Sequence, residues 1–269
     1  MSANPSVPIV LLTDFGQADG YPGVMKGVIY SFCPGAPIID LSHEIAAHHL
    51  RSAAFLLSRT CRYFPRGSIF TVVVDPGVGS GRKIVFLEWG DWNFLAPDNG
   101  VLTPFLMNYA QIKQIREVTQ SDLFLERQGH TFDGRDRFAP VAAHLARGGR
   151  TEDLGPELDQ PVMIDNLLPN AQWTGRSFRG QVLHIDHFGN LITNIEQDDL
   201  ERLAQGRKSF VRIQGQSLPV VNSYSDVEPG QPLAVPGGFG CLEIAVNQGS
   251  ANRLMRVAIG QSIEVCFEG

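Results

Sequence analysis

The sequence predicts an α/β protein, with an N-terminal mostly parallel sheet flanked by helices and a smaller, mainly antiparallel C-terminal β domain. Three observations carry this. Up to residue 146, short runs rich in β-branched residues alternate with segments of helical periodicity, and such βαβ units run their strands parallel. Residues 151–180 then hold Pro156, Pro161 and Pro169 among scattered acids, the texture of a linker. Beyond Gly180 come short strands separated by turn residues, with little helix, as in an antiparallel β domain. The expected division is 1–160 for the α/β domain, 161–178 for the linker and 179–269 for the β domain.

Residues 9–13 are an apolar run that ends at Asp14, which reads as a strand with a carboxylate at its tip. Tyr21 to Phe32 places Val24, Val28 and Phe32 at helical spacing before Pro34 stops the helix. Residues 38–41 are a second strand. After His49, the positions of Leu50, Ala53, Ala54, Leu57 and Cys61 make an amphipathic helix. Residues 69–74 lack helical spacing and read as a strand buried on both faces. Residues 85–87 and 94–96 add two strands, PDNG at 97–100 a turn, and 137–146 a helix with Phe138, Val141, Ala142 and Leu145 on one face. In the second domain, strands are expected at 181–185, 209–213, 233–235, 242–246 and 262–267, with one helix at 198–204.

Composition excludes several function classes. The chain has 269 residues and a net charge of −6, so it lacks the basic stripe that a nucleic-acid partner needs. No apolar run reaches the roughly 20 residues of a membrane span, and MSANPSVP has no signal-peptide pattern; no membrane partner is expected and the expected location is cytoplasmic. Cys33, Cys61, Cys241 and Cys266 show no metal or redox spacing and read as buried, reduced thiols. His43, Glu44 and His48 form HExxxH, one residue too long for the zinc-protease motif, so no metal is expected.

The chain is organised around SIFTVVVDPGVGSGR at 68–82. Asp75 ends a buried strand, the position beyond which open α/β sheets bind ligands. The glycines after it make a tight loop that brings Arg82 within reach of Asp75; a structural ion pair in a solvated turn would look the same. GHTFDGRDRFAP at 129–140 packs Asp133, Arg135 and Asp136 around Gly134, with Asp136 as a possible helix cap. IDHFGNLITN at 185–194 brings Asp186, Phe188 and Asn190 together. A hairpin explains it, and so does recognition of a nucleobase or amino acid, which needs a stacking face and directional hydrogen bonds.

These stretches, with LLTDFGQADGYPGVMKG at 11–27, APDNGVLTP at 96–104 and GCLEIAVNQGSA at 240–251, resemble the adenosine-forming S-adenosyl-L-methionine (SAM) hydrolases. These are also called SAM hydroxide adenosyltransferases and are related to the fluorinating and chlorinating enzymes. The resemblance covers nearly the whole chain. It implies hydrolysis of SAM to adenosine and L-methionine by in-line attack of water at ribose C5′, with no cofactor. It further implies a homotrimer in which substrate lies between the first domain of one subunit and the second of its neighbour. By position it gives Asp14 the ribose hydroxyls, Asn190 the adenine edge, Phe188 a stacking wall and Asp186 the methionine ammonium. Asp75 and Arg82 match the residues that hold and activate water.

The departures from the family pattern are local. Asp133 stands where the hydrolases have His in TFHGRD, and it is protonated, turned away or a replacement base. His48 stands where an aromatic near the ribose and methionine is usual, and Gly238 and Phe239 replace a serine-rich turn that contacts the methionine carboxylate; Tyr21, His48 and Phe239 are expected among the substrate-binding residues. Two readings from other classes follow from these changes: a non-catalytic adenosine or SAM binder, and an enzyme acting on another 5′-substituted adenosine.

Overall fold

Five wholly buried residues, Ile9–Thr13, form β1, the second strand from one edge of the first sheet. The computed structural model describes residues 7–126 and 129–268, and the chain divides into two compact units between Leu167 and Leu168. In the first unit the elements are β1, α1 (Tyr21–Phe32), β2 (Ile38–Ser42), α2 (Leu50–Thr60), β3 (Ile69–Val73), β4 (Ile84–Trp89), β5 (Trp92–Pro97), α3 (Thr103–Leu106), β6 (Ile112–Glu117) and α4 (Ala139–Ala146). The strand order is β2-β1-β3-β5-β4-β6. β1 pairs in parallel with β2 and β3, and β3 with β5, while β4 is antiparallel to both neighbours. This is the mostly parallel sheet that the alternating elements predict.

The register matters for the site. Thr13 on β1 lies opposite Val73 on β3, so Asp14 and Asp75 leave adjacent parallel strands at the same end of the sheet. That end is where open α/β sheets bind their ligands, because the chain must loop out there before returning.

Two expectations for helices are corrected. α1 has the expected bounds, yet it buries Pro22, Met25 and Ile29, leaving Val24 44% and Phe32 41% exposed. Both faces of this helix carry apolar side chains, so spacing alone did not select the one that packs on α4 and the sheet. α4 begins at Ala139, because Gly134–Phe138 forms a wider π turn before it. Asp136 sits inside that turn and accepts bonds from Arg135 Nε at 2.6 Å and Nη2 at 3.0 Å, so it is not a helix cap.

The second unit holds β7 (Gln172–Trp173), β8 (Ser177–Ile185), β9 (Leu191–Glu196), α5 (Gln197–Ala204), β10 (Ser209–Ile213), β11 (Gln216–Pro219), β12 (Pro232–Pro236), β13 (Cys241–Val246), α6 (Ala251–Met255) and β14 (Ser262–Phe267). Its strands run β11-β10-β14-β8-β9-β13-β12, all antiparallel, with β7 paired to β8. Val182, Leu191, Ile195, Val211, Ile244 and Val265 are buried in its separate core. Among the described residues no helix is long and apolar enough to cross a membrane.

Candidate active site

β3 delivers Asp75 to the sheet's mouth, and Asn99 in the turn after β5 holds that strand end by donating Nδ2 to the Val74 carbonyl at 2.9 Å. The loop then doubles back. Gly77 N donates to Asp75 Oδ1 at 3.1 Å, and Arg82 Nε donates to Asp75 Oδ2 at 2.6 Å. Gly79 makes this loop possible: its φ of +81° is left-handed, and a Cβ there would meet the His130 carbonyl at 3.0 Å.

Arg82 also reaches the other wall. Its Nη2 donates to Asp133 Oδ2 at 2.6 Å, and Arg137 Nε lies 3.7 Å from Asp133 Oδ1. Asp75, Arg82, Asp133 and Arg137 therefore alternate in sign along one chain of contacts. The Arg82 and Asp133 side chains are 8% and 3% exposed. Burial pulls the Arg82 guanidinium down, but the bonds and charges of Asp75 and Asp133 outweigh it and hold the group above its usual value. Asp133 also lines the cavity beside this cluster. The π turn just after it fits this placement, since such turns re-aim the chain at functional sites.

Asp14, Asp75 and Asp133 line one cavity of about 270 Å³, together with Phe15, Tyr21, His48 and Val78. Tyr21 packs against Phe15 and Phe132 with ring centroids 5.6 and 5.0 Å away, an aromatic wall. His48 adopts a left-handed φ of 65°, and its backbone N–H donates to Asp14 Oδ2 at 2.8 Å. The Asp14 carboxylate thus faces the cavity, held from one side by the 43–48 loop. Sugar hydroxyls are natural ligands for such a group, because a carboxylate accepts two hydrogen bonds at once.

The second unit has its own groove, about 1200 Å³ in volume, lined by Asp186, Phe188, Asn190, Tyr224, Ser250 and Asn252 among others. Asp186 accepts Asn190 N at 2.8 Å and Asn190 Nδ2 at 2.9 Å. These two bonds fix the Asn190 amide against the carboxylate. Phe188 is 74% exposed, an open stacking face. Gly189, at φ +85°, lets Ser250 approach, since its missing Cβ would lie 2.0 Å from Ser250 Oγ. Beneath the groove, burial and then the Asp186 charge raise Glu243 above the usual carboxylate range, and burial followed by Glu243 raises Tyr224.

The site residues expected from sequence thus fall into two clusters. Asp14, Tyr21, His48, Asp75, Arg82 and Asp133 meet in the first unit; Asp186, Phe188 and Asn190 meet in the second. Phe239 is half-buried in the turn between β12 and β13 and lines neither cavity. Sequence reasoning missed Arg137, Tyr224, Glu243 and Asn252. Arg137 was legible as the residue four after Asp133, on the same side of a helical turn; Tyr224 sits in a loop whose fold alone aims it. Among the described residues no three His, Cys, Asp or Glu side chains converge as metal ligands.

The fold is that of a two-domain α/β protein, with a cavity lined by carboxylates beside a buried arginine at the mouth of a parallel sheet. The chain belongs to the SAM hydroxide adenosyltransferase family, whose N-terminal domain matches residues 9–155 and whose C-terminal domain matches residues 180–264. It is 38% identical to a Thermus thermophilus protein named (R)-S-adenosyl-L-methionine hydrolase, over 96% of this chain and 99% of that one. It is 31% identical to a protein of the same name from Methanocaldococcus jannaschii, covering 96% and 95%. A fluorinase of Actinoplanes sp. is 27% identical, over 92% and 93%. Among solved structures, an uncharacterized conserved protein from Thermotoga maritima superposes with a TM-score of 0.90 at 38% identity, covering 96% of this chain and 99% of that one.

Proposed function

We propose that the protein hydrolyses SAM to adenosine and L-methionine. The observation that carries this reading is the Asp75–Arg82–Asp133 cluster, which opens into the same cavity as Asp14. The sulfonium is a good leaving group that departs as a neutral thioether, so no general acid is needed and no cofactor is called for. What remains is to aim an oxygen nucleophile at C5′ in line with the C–S bond.

The residues divide that work. Asp14 takes the ribose hydroxyls and sets C5′ towards Asp75. Asp75 accepts a hydrogen bond and then a proton from water, whose oxygen forms the new C5′–O bond while the C5′–S electron pair passes to sulfur. Arg82, held by both carboxylates, stabilises the developing hydroxide. Asp133 fixes Arg82 from the far side. A halide is disfavoured here, because two carboxylates repel an anion in a low-dielectric cavity.

On the second unit, Asn190 reads the adenine edge, Phe188 stacks on the base and Asp186 holds the methionine ammonium. The first cavity, at about 270 Å³, falls short of the roughly 300–1,000 Å³ of small-ligand sites. It suits a pentose and a water, and the rest of SAM needs another surface. Following the family resemblance, we assign that surface to a neighbouring copy in a homotrimer.

Incubation with SAM in heavy-oxygen water tests the reading. Adenosine carrying the label at its 5′ oxygen is the expected product; tight binding without turnover would overturn it in favour of a binder. Asp75→Asn is expected to lower kcat by about 10²- to 10⁴-fold, with adenosine affinity nearly unchanged.

A further inference from the structure

The ribose-facing carboxylate Asp14 sits on a turn that another buried group holds. Thr13, wholly buried, and His43, 1% exposed, lie 30 residues apart, and Thr13 Oγ1 is 2.8 Å from His43 Nδ1. On the far side of the ring, Nε2 is 3.0 Å from Asp40 Oδ1, off line for a straight hydrogen bond. Asp40 in turn takes Lys26 Nζ at 2.5 Å. Burial would raise the Asp40 carboxyl, but Lys26 and His43 together bring it below its ordinary value.

These contacts set the direction of the chain. With a carboxylate as its nearest acceptor, Nε2 carries the ring proton, which leaves Nδ1 to accept from the Thr13 hydroxyl. The Thr13 oxygen is then free to accept Phe15 N–H, 3.3 Å away. A second tie runs alongside: Gly16 N donates to the His43 carbonyl at 2.7 Å. The β2 strand makes this reach possible, since its pairing with β1 skips Leu41 between Leu11 and Leu12, and such a bulge re-aims the chain that follows. Thr13 is wholly buried and is not part of the lining of the Asp14 cavity, so this Asp–His–Thr sequence is not a nucleophilic triad.

We infer that His43 is a positioning residue: its ring, wedged between Asp40 and Thr13, fixes the turn that presents Asp14 and Phe15 to the cavity. The ligand through which this acts rests on the proposed function. The assignment makes a stereochemical demand. An Asn side chain places its amide where Nδ1 was, and a Gln side chain reaches where Nε2 was, so only Asn keeps the Thr13 contact.

The test compares H43N, H43Q and T13V in the full chain. Adenosine affinity is measured by calorimetry, SAM turnover by steady-state kinetics, and backbone exchange at Phe15 and Gly16 by hydrogen–deuterium exchange. H43N is expected to bind adenosine within about threefold of wild type, while H43Q and T13V weaken it by about tenfold and raise KM more than they lower kcat. Exchange at Phe15 and Gly16 should quicken in H43Q and T13V and not in H43N. Equal losses in H43N and H43Q, following their melting temperatures, would mean a general packing role and overturn the inference. Should wild-type protein neither bind adenosine nor cleave SAM, the proposed function falls, and the exchange comparison still decides the role of His43.

Discussion

Asp133 carries the sharpest question about a single residue, because it stands where the resemblance expects His. Its Oδ2 accepts from Arg82 at 2.6 Å while Oδ1 faces Arg137 at 3.7 Å, so the carboxylate bridges two cations in a buried place. An imidazole there would face both guanidiniums with no charge to offer them. Asp133→His is therefore expected to lower kcat by about tenfold or more rather than to restore a better enzyme, and Asp133→Asn to do so more mildly. Steady-state assays with SAM check this, and a faster Asp133→His enzyme would mark the native residue as the defect. Of the cluster, the Asp75–Arg82 contact was legible in sequence as a possibility, because a loop rich in glycine and proline lets the chain turn back. The Arg82–Asp133 bond spans 51 positions and followed from no local pattern. The Thr13–His43 contact was hidden too, since it requires knowing that β1 and β2 are neighbours.

At the level of elements, the strands of the parallel sheet were readable because burial on both faces leaves unbroken apolar runs. β6 and β9 were not, for Ile112–Glu117 has only two apolar residues, three apart, at a sheet edge and Leu191–Glu196 was absorbed into a turn motif. β13 carries a consequence for pH. Glu243 is 5% exposed on that strand, and burial and Asp186 raise its folded-state affinity for a proton. A carboxyl raised in this way contributes stability that is present below its unfolded pKa and lost as pH rises through the folded value. Glu243→Gln keeps the shape and removes the charge, with Tyr224 Oη still 3.4 Å away as a partner. The variant is expected to melt higher than wild type at about pH 7.5, with the gain shrinking as the buffer is brought to about pH 4. Thermal melts across that range measure it, and a constant offset at every pH would show that Glu243 does not titrate on folding.

For the whole molecule, the family resemblance implies a site shared between subunits of a homotrimer. The chain divides into two units between Leu167 and Leu168. Contacts between copies leave no periodicity in a sequence, so the homotrimer is an expectation that rests on kinship alone. If each site joins the first unit of one subunit to the second unit of a neighbour, damage in the two units is separable. Asp75→Asn removes the carboxylate proposed to handle water from the first, and Asn190→Ala removes the amide from the second. Each variant alone is expected to be nearly inactive. Unfolded and refolded together in equal amounts, they form mixed trimers in which about one site in four combines two intact halves, given random assembly around a closed ring. Activity should therefore return to about a quarter of the wild-type level per site, and only in the co-refolded sample. A site built within one chain would give no recovery, because every chain in the mixture carries one lesion. Sedimentation of the mixture reports the assembly independently: a monomer at assay concentration, with recovery absent, would refute the shared site while leaving the Asp75–Arg82 chemistry standing.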